Sequence, residues 1–249
     1  MNSGGFVPQW PVPSRVRGFI TERTGGVSPL PYTSNNIAGH VGDDPNAVAD
    51  NRSKLQIQLG LPRAPQWLNQ IHGDNIVELG IDSNPAPMAD ADGAISGDRG
   101  VACAVMTADC LPILLCDSGA TQVAAIHCGW RGLAKGIITR AIDKFASPAV
   151  QIMAYLGPAI SAEVYEVGEE VVDAFKGIPA TSSDYAVPNP NNPGHFFLDL
   201  YQLARIHLRN QGVSAIYGGD CCCYREQDRF YSYRRDGITG RMASLIWLD

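Results

Sequence analysis

Apolar and polar positions along the 249-residue chain alternate between strand-like and helix-like periods. Residues 15–21 (RVRGFIT) predict a first strand, followed by a long Gly/Pro/Ser/Asn loop, ERTGGVSPLPYTSNN. Loops of that length inside compact domains often carry function. Asp44-Pro45 reads as an N-cap and first helical position, Val48, Leu55 and Leu59 keep one apolar face, and Gly60 closes the helix. Residues 66–71 (QWLNQI) predict a strand that delivers His72-Gly73, and a polar, Pro-rich stretch then runs to ADADG at 89–93. Residues 101–107 and 111–116 are strand-like, and Asp117-Ser118-Gly119 turns the chain into 121–128 as a hairpin. In 131–146, Leu133, Ile137, Ile138, Ala141, Ile142 and Phe145 share one helical face. A strand at 150–156, a helix near 168–175 and a loop at Asn189–Gly194 come next. Asp199 caps a helix that carries Leu203 and Leu208 inward and ends at Gly212. Residues 213–217, 229–234 and 241–248 predict three more strands. Strands and helices mix irregularly, without repeat or linker, so the expected fold is a single α+β layered domain spanning 1–249.

Composition narrows the partners. Hydrophobic residues make up 45%, enough for a sizeable core, and no run approaches the ~18 apolar residues of a membrane span. The start, MNSGGFVPQWPVPSR, lacks the pattern of a secretory signal. A net charge of −6 with no basic run argues against nucleic acid and for a small substrate, though local arginines can still hold an anion. Seven cysteines, an odd count with no CxxC, suit a reducing compartment, so a soluble cytoplasmic protein is expected. The run Cys221-Cys222-Cys223 is not expected to bind metal, because adjacent strand side chains point to opposite faces. There is no GxGxxG and no P-loop, so dinucleotide and Walker-type sites are not expected.

Three segments carry candidate chemistry: Gln70-Ile71-His72-Gly73, Thr107-Ala108-Asp109-Cys110-Leu111-Pro112 and His127-Cys128-Gly129-Trp130-Arg131-Gly132. Each sets a metal-ligand type at the end of an apolar stretch, and one thiolate with two imidazoles suits Zn²⁺. Taken singly, each residue has an ordinary reading: a histidine before glycine is commonly a loop residue, and a cysteine in an apolar stretch is commonly core. The three ligand types are separated by 38 and 17 positions, which matches no local zinc motif, so any site must be assembled by the fold.

These segments resemble the laccase-domain family, whose members are variously called multicopper polyphenol oxidase-like, peptidoglycan-editing factor and purine nucleoside phosphorylase. QIHG, TADCLPILL, HCGWRG, DADG, YEVG at 165–168, FYSYRRDGITGRMA at 230–243 and the Asn51-Arg52 segment follow its pattern in order. The loop SNNIAGHVG departs from the more usual SLNLG, and Cys128 stands where alanine is common. The resemblance implies a four-layer αββα sandwich shared with certain Cys-His toxins. It also implies one zinc per chain held by His72, Cys110 and His127, leaving an open position as in catalytic zinc sites. Cys128, next to His127 on a strand, faces away and is a poor fourth ligand.

The family is reported to cleave purine nucleosides with phosphate and to deaminate adenosine. Zinc suits the deamination, although the HxE and PCxxC signature of common zinc deaminases is absent. Asp92 and Glu166 are the candidate proton carriers, with Cys110 and His127 completing the expected catalytic set. Phosphorolysis needs a forked cation for phosphate; Arg52, Arg131, Arg234 and Arg235 are candidates, and the last two alternate along an expected strand, so one faces the site. The alternative is a Cys110–His127 amidohydrolase acting on peptidoglycan precursors, UDP-MurNAc bearing an amino acid. A copper polyphenol oxidase fits less well, because five histidines without an HxH pair do not build a multicopper cluster. Copper is therefore not expected. Expected partners are a nucleoside and phosphate, with neither nucleic acid nor membrane.

Overall fold

The structure, a computed structural model, describes residues 4–83, 88–178 and 180–249. The first three residues and part of the Pro-rich stretch after His72 lie outside these. The strands are β1 (Gly5–Phe6), β2 (Val16–Thr21), β3 (Ile76–Glu78), β4 (Gly93–Ser96), β5 (Cys103–Thr107), β6 (Leu111–Asp117), β7 (Val123–Cys128), β8 (Ile152–Leu156), β9 (Glu166–Gly168), β10 (Ala186–Pro188), β11 (His195–Leu198), β12 (Ala215–Gly218) and β13 (Met242–Leu248). The helices are α1 (Pro45–Leu59), α2 (Trp130–Lys135), α3 (Ile137–Ile142), α4 (Glu169–Asp173), α5 (Leu200–Asn210) and α6 (Tyr233–Asp236). No helix among the described residues is long and apolar enough to cross a membrane.

A six-stranded sheet, β12-β8-β6-β7-β4-β3, packs face to face with a four-stranded sheet, β1-β2-β13-β5. Period-2 alternation explains the packing. In β6, Leu114 and Cys116 enter the layer between the sheets with Val105, Ile246 and Ile20. Leu111, Ile113 and Leu115 face the other way, onto a helical layer built from Leu133, Ile137, Ile138 and Leu203. On the far side of the smaller sheet, Leu55 of α1 packs with Phe19, Leu245 and Trp247. Three apolar interfaces thus separate four layers, αββα. β5, β6 and β7 are buried along their whole length, which is why they read as near-continuous apolar runs.

Local chemistry fixes several elements as expected. The Asp44 carboxylate accepts from the Asn46 N–H, Pro45 opens α1 and Gly60 closes it at φ 62°. Asp199 caps α5 through the Gln202 N–H. The β6–β7 hairpin is antiparallel, and Asp117 accepts the backbone N–H groups of Thr121 and Gln122 in its turn.

Three expectations need correction. Residues 66–71 form no strand; they make isolated bridges, Gln66 with Cys103 and Asn69 with Asp90. The stretch 131–146 is two short helices broken at Gly136, whose φ of 90° suits glycine. Residues 229–234 are not a strand. The Ser232 hydroxyl accepts from the Arg235 N–H and starts α6 instead.

Candidate metal centre and active site

The His72, Cys110 and His127 side chains converge, their ligand atoms all within 4.8 Å of one another. His127 continues the face of Val123 and Ala125 along β7, toward the layer between the sheets. Cys128 turns to the helical layer and stays out of the cluster. Cys110 ends the turn before β6, after Asp109 at φ 91°. His72 sits on a loop at φ 57° and not on a strand end.

Asp92, fully buried beside β4, organises this arrangement. Its carboxylate accepts the N–H groups of Ile71 (3.1 Å), His72 (2.9 Å) and Gly73 (2.6 Å), so it shapes the loop that presents His72. Its Oδ1 also lies 2.8 Å from His127 Nδ1, which leaves His127 Nε2 as the ring atom free for the cluster. Burial pushes the Asp92 carboxyl up, but the His127 and backbone hydrogen bonds outweigh it and hold it below the usual range. A carboxylate behind a histidine is the usual support for a metal-binding imidazole.

The donor set fits a metal. Zn–S near 2.3 Å and Zn–N near 2.0 Å in tetrahedral array put sulfur and nitrogen about 3.5 Å apart; Cys110 Sγ and His72 Nε2 stand at 3.8 Å. The adjoining residue is glycine for a spatial reason. A Cβ at Gly129 would lie 3.0 Å from His72 Cδ2 and 3.1 Å from Cys110 Sγ. Burial pushes the Cys110 thiol up, but the His127 charge and the hydrogen bonds from both histidines bring it down to about 6. Burial lowers His127, while the Cys110 thiolate and Asp92 raise it to about 9. Each group thus favours the charged form of the other, and metal binding requires the deprotonated thiolate and a ring nitrogen without its proton.

The cluster opens into a cavity of about 440 Å³. Arg131, Arg234 and Arg241 line it, together with Trp130, Tyr165 and Tyr233. Each arginine lies over an aromatic ring: Arg131 over Trp130 at 4.4 Å, Arg234 over Tyr165 at 5.1 Å and Arg241 over Tyr233 at 5.7 Å. None of the three pairs with a carboxylate side chain among the described residues. Asp109, the acid in the wall, accepts the Arg234 backbone N–H at 2.6 Å, and burial holds its carboxyl above the usual range.

Other candidates fall elsewhere. Arg52 does not line the cavity; its Nε donates to the Ile37 carbonyl at 2.8 Å and its guanidinium stacks 4.6 Å over Trp67. Arg235 clamps the carbonyls of Cys223, Tyr224 and Phe230. The Glu166 carboxylate accepts from Asn192 outside the cavity, while its carbonyl holds Arg234. Asp92 stands behind His127 and has no face on the cavity. Cys221, Cys222 and Cys223 do not line it either. Sequence reasoning missed His40 and Arg241, both in the wall. Each lies inside a segment already singled out, the loop SNNIAGHVG and the stretch ending TGRMA.

Residues 17–249 match the family described as multi-copper polyphenol oxidoreductase laccase. A Pseudomonas aeruginosa protein named purine nucleoside phosphorylase is 48% identical over 244 residues, 98% of each chain. The Escherichia coli K12 protein YfiH, named likewise, is 46% identical over 243 residues, 98% of each chain. A Neisseria meningitidis crystal structure of the DUF152 family superposes with a TM-score of 0.91 at 49% identity, covering 99% of both chains. YlmD of Geobacillus stearothermophilus gives 0.84 at 31% identity, covering 94% of this chain and 92% of its own.

Proposed function

The chain belongs to the multi-copper polyphenol oxidoreductase laccase family, and we propose that it is a zinc-dependent purine nucleoside phosphorylase. It would cleave adenosine and inosine with phosphate to the free base and ribose 1-phosphate, with adenosine deamination as a side activity. One observation carries the reading. A His-Cys-His cluster opens into a cavity whose three arginines stand over aromatic rings, without a carboxylate ion-pair partner among the described residues. Relatives of near-identical length named for this activity support it.

In phosphorolysis the C1′–N9 bond breaks, a C1′–O bond to phosphate forms, and positive charge develops on the ribose. The aromatic faces of Trp130, Tyr165 and Tyr233 offer flat surface to the base. Arginine forks orient the phosphate anion, and orientation is the main contribution a protein makes to such a displacement. His72, Cys110 and His127 would hold one zinc, a thiolate and two imidazoles being its preferred ligands. When bound, zinc supplies Lewis-acid polarisation, the chemistry that deamination at C6 requires. Asp92 keeps His127 in one tautomer and His72 in place. Multicopper oxidation is not invoked, since it needs more histidines than the two in this cluster.

A second reading rests on the same residues. Cys110, His127 and Asp92 stand in the order nucleophile, base and orienting carboxylate. That order suits an amidohydrolase acting on UDP-MurNAc bearing an amino acid. One sulfur cannot serve as metal ligand and free nucleophile together. Incubating metal-analysed protein with adenosine and inosine, with and without phosphate, separates the readings. Phosphate-dependent ribose 1-phosphate supports phosphorolysis, ammonia from adenosine supports the side activity, and no turnover of either nucleoside removes both.

A further inference from the structure

We propose that Arg241, with His40 beside it, forms the tetrahedral-oxyanion subsite of the cavity, and that Arg52 braces this subsite without touching its ligand. The inference rests on the phosphorylase reading for the identity of the anion as inorganic phosphate. Arg241 directly precedes β13 and lies half-buried in the cavity wall. Its Nη1 donates to the carbonyls of Thr239 (2.9 Å) and Gly240 (3.0 Å), which fixes the plane of the guanidinium. Nε and Nη2 have no acceptor among the described residues, and together they form the edge by which arginine grips two oxygens of one phosphate. A guanidinium drawn partly out of water without a carboxylate is left under-solvated, and an arriving anion relieves that cost.

The backbone ties the loop that carries His40 to Arg241. The Arg241 N–H donates to Asn36 Oδ1 at 2.9 Å, and the Ile37 N–H donates to the Arg241 carbonyl at 3.2 Å. The buried Asn36 donates in turn to the Ala38 carbonyl at 3.0 Å and to Asp43 Oδ2 at 2.9 Å, closing the loop that carries His40. His40 lines the same cavity, and no hydrogen-bond partner occupies its ring nitrogens among the described residues. In either protonation state it offers at least one N–H donor. From outside, Arg52 holds the Ile37 carbonyl and Asn51 holds the Asn36 carbonyl at 2.9 Å. Arg52 therefore adds positive potential and rigidity but no ligand contact.

The test is calorimetric titration of zinc-loaded protein with inorganic phosphate alone, and separately with inosine alone. Arg241→Met should weaken phosphate at least tenfold, change inosine affinity far less and leave zinc content unchanged. Arg241→Lys should recover part of the loss, and His40→Gln should weaken phosphate a few-fold, which keeps the test open if the Met variant folds poorly. Equal phosphate affinity in wild type and Arg241→Lys or Arg241→Met overturns the subsite, as does absence of phosphate binding to the wild type. If the wild type binds phosphate through Arg241 yet forms no ribose 1-phosphate from inosine, the phosphorylase reading fails and the subsite stands. If ribose 1-phosphate forms but Arg241→Met keeps its phosphate KM, the subsite fails alone.

Discussion

Asp92 Oδ1 stands 2.8 Å from His127 Nδ1, and the same carboxylate accepts the backbone N–H of His72. One buried acid thus sets the tautomer of one ligand and the loop of another. Asp92→Asn keeps the size but turns an N–H donor toward N–H groups that need an acceptor. Zinc affinity should fall about 10- to 100-fold, the usual effect of losing a support behind a metal ligand. Chelator competition measures it; unchanged affinity would mean that Asp92 does not organise the site.

Gly129 is glycine because of what stands opposite its missing Cβ. Its backbone, at φ −72° and ψ 163°, is open to alanine, so Gly129→Ala should fold with its melting temperature nearly intact. The added methyl would press on His72 and Cys110. Zinc content after equilibration with limiting metal should drop at least tenfold, an order-of-magnitude figure set by the need to shift ligand atoms. A variant that loads zinc normally would show that the ligands move freely.

Cys110 should be the one fast thiol in metal-free protein. An acid with a lowered pKa is ionised above it, so the alkylation rate should stay high down to about pH 6 and fall below that, whereas an ordinary thiol loses rate from about 9. Cys221, half-exposed, is pushed up to about 11 and does not compete. Zinc-loaded protein should react slowly, its sulfur being occupied. Mass spectrometry across pH reads this; a rate that climbs through pH 8–9, or a first adduct on Cys221, contradicts the Cys110–His127 pairing.

Much of the layered fold was legible from local signals. Asp44-Pro45 and Gly60 bound α1 because caps are chemical, and the β6–β7 hairpin followed from its turn. The misread segments are those where side-chain chemistry overrides periodicity. Gln70 spends its amide on both the Met106 N–H and carbonyl, so 66–71 binds β5 through a side chain and not a ladder. Ser232 starts a helical turn where aromatic residues suggested a strand. The metal ligands were readable as residue types, but their meeting was not, since gaps of 38 and 17 positions carry no local geometry. Asp92 was visible as an acid before a glycine; that it faces backbone N–H groups depends on the loop around it. Arg241 looked like any arginine, because standing without an acid partner among the described residues is a property of the fold.

Arg52, a phosphate candidate by sequence, should behave as a brace. Arg52→Ala removes the bond to the Ile37 carbonyl and the stacking on Trp67, a loss of about 1–2 kcal/mol. Melting temperature should fall by several degrees, with a smaller effect on phosphate affinity than Arg241→Met. An unchanged melting temperature with phosphate binding abolished would instead make Arg52 a direct ligand.

Phosphate-dependent nucleoside cleavage by this chain is expected to need the metal-loaded His72–Cys110–His127 cluster. Its most direct test follows ribose 1-phosphate from inosine by phosphorus NMR, comparing stripped protein, zinc-restored protein and Cys110→Ala. Product is expected in the restored sample alone, at a rate that saturates with phosphate. Ribose 1-phosphate formed at full rate by stripped protein would contradict the need for metal, and none formed by the zinc-restored sample would contradict the phosphorolysis itself.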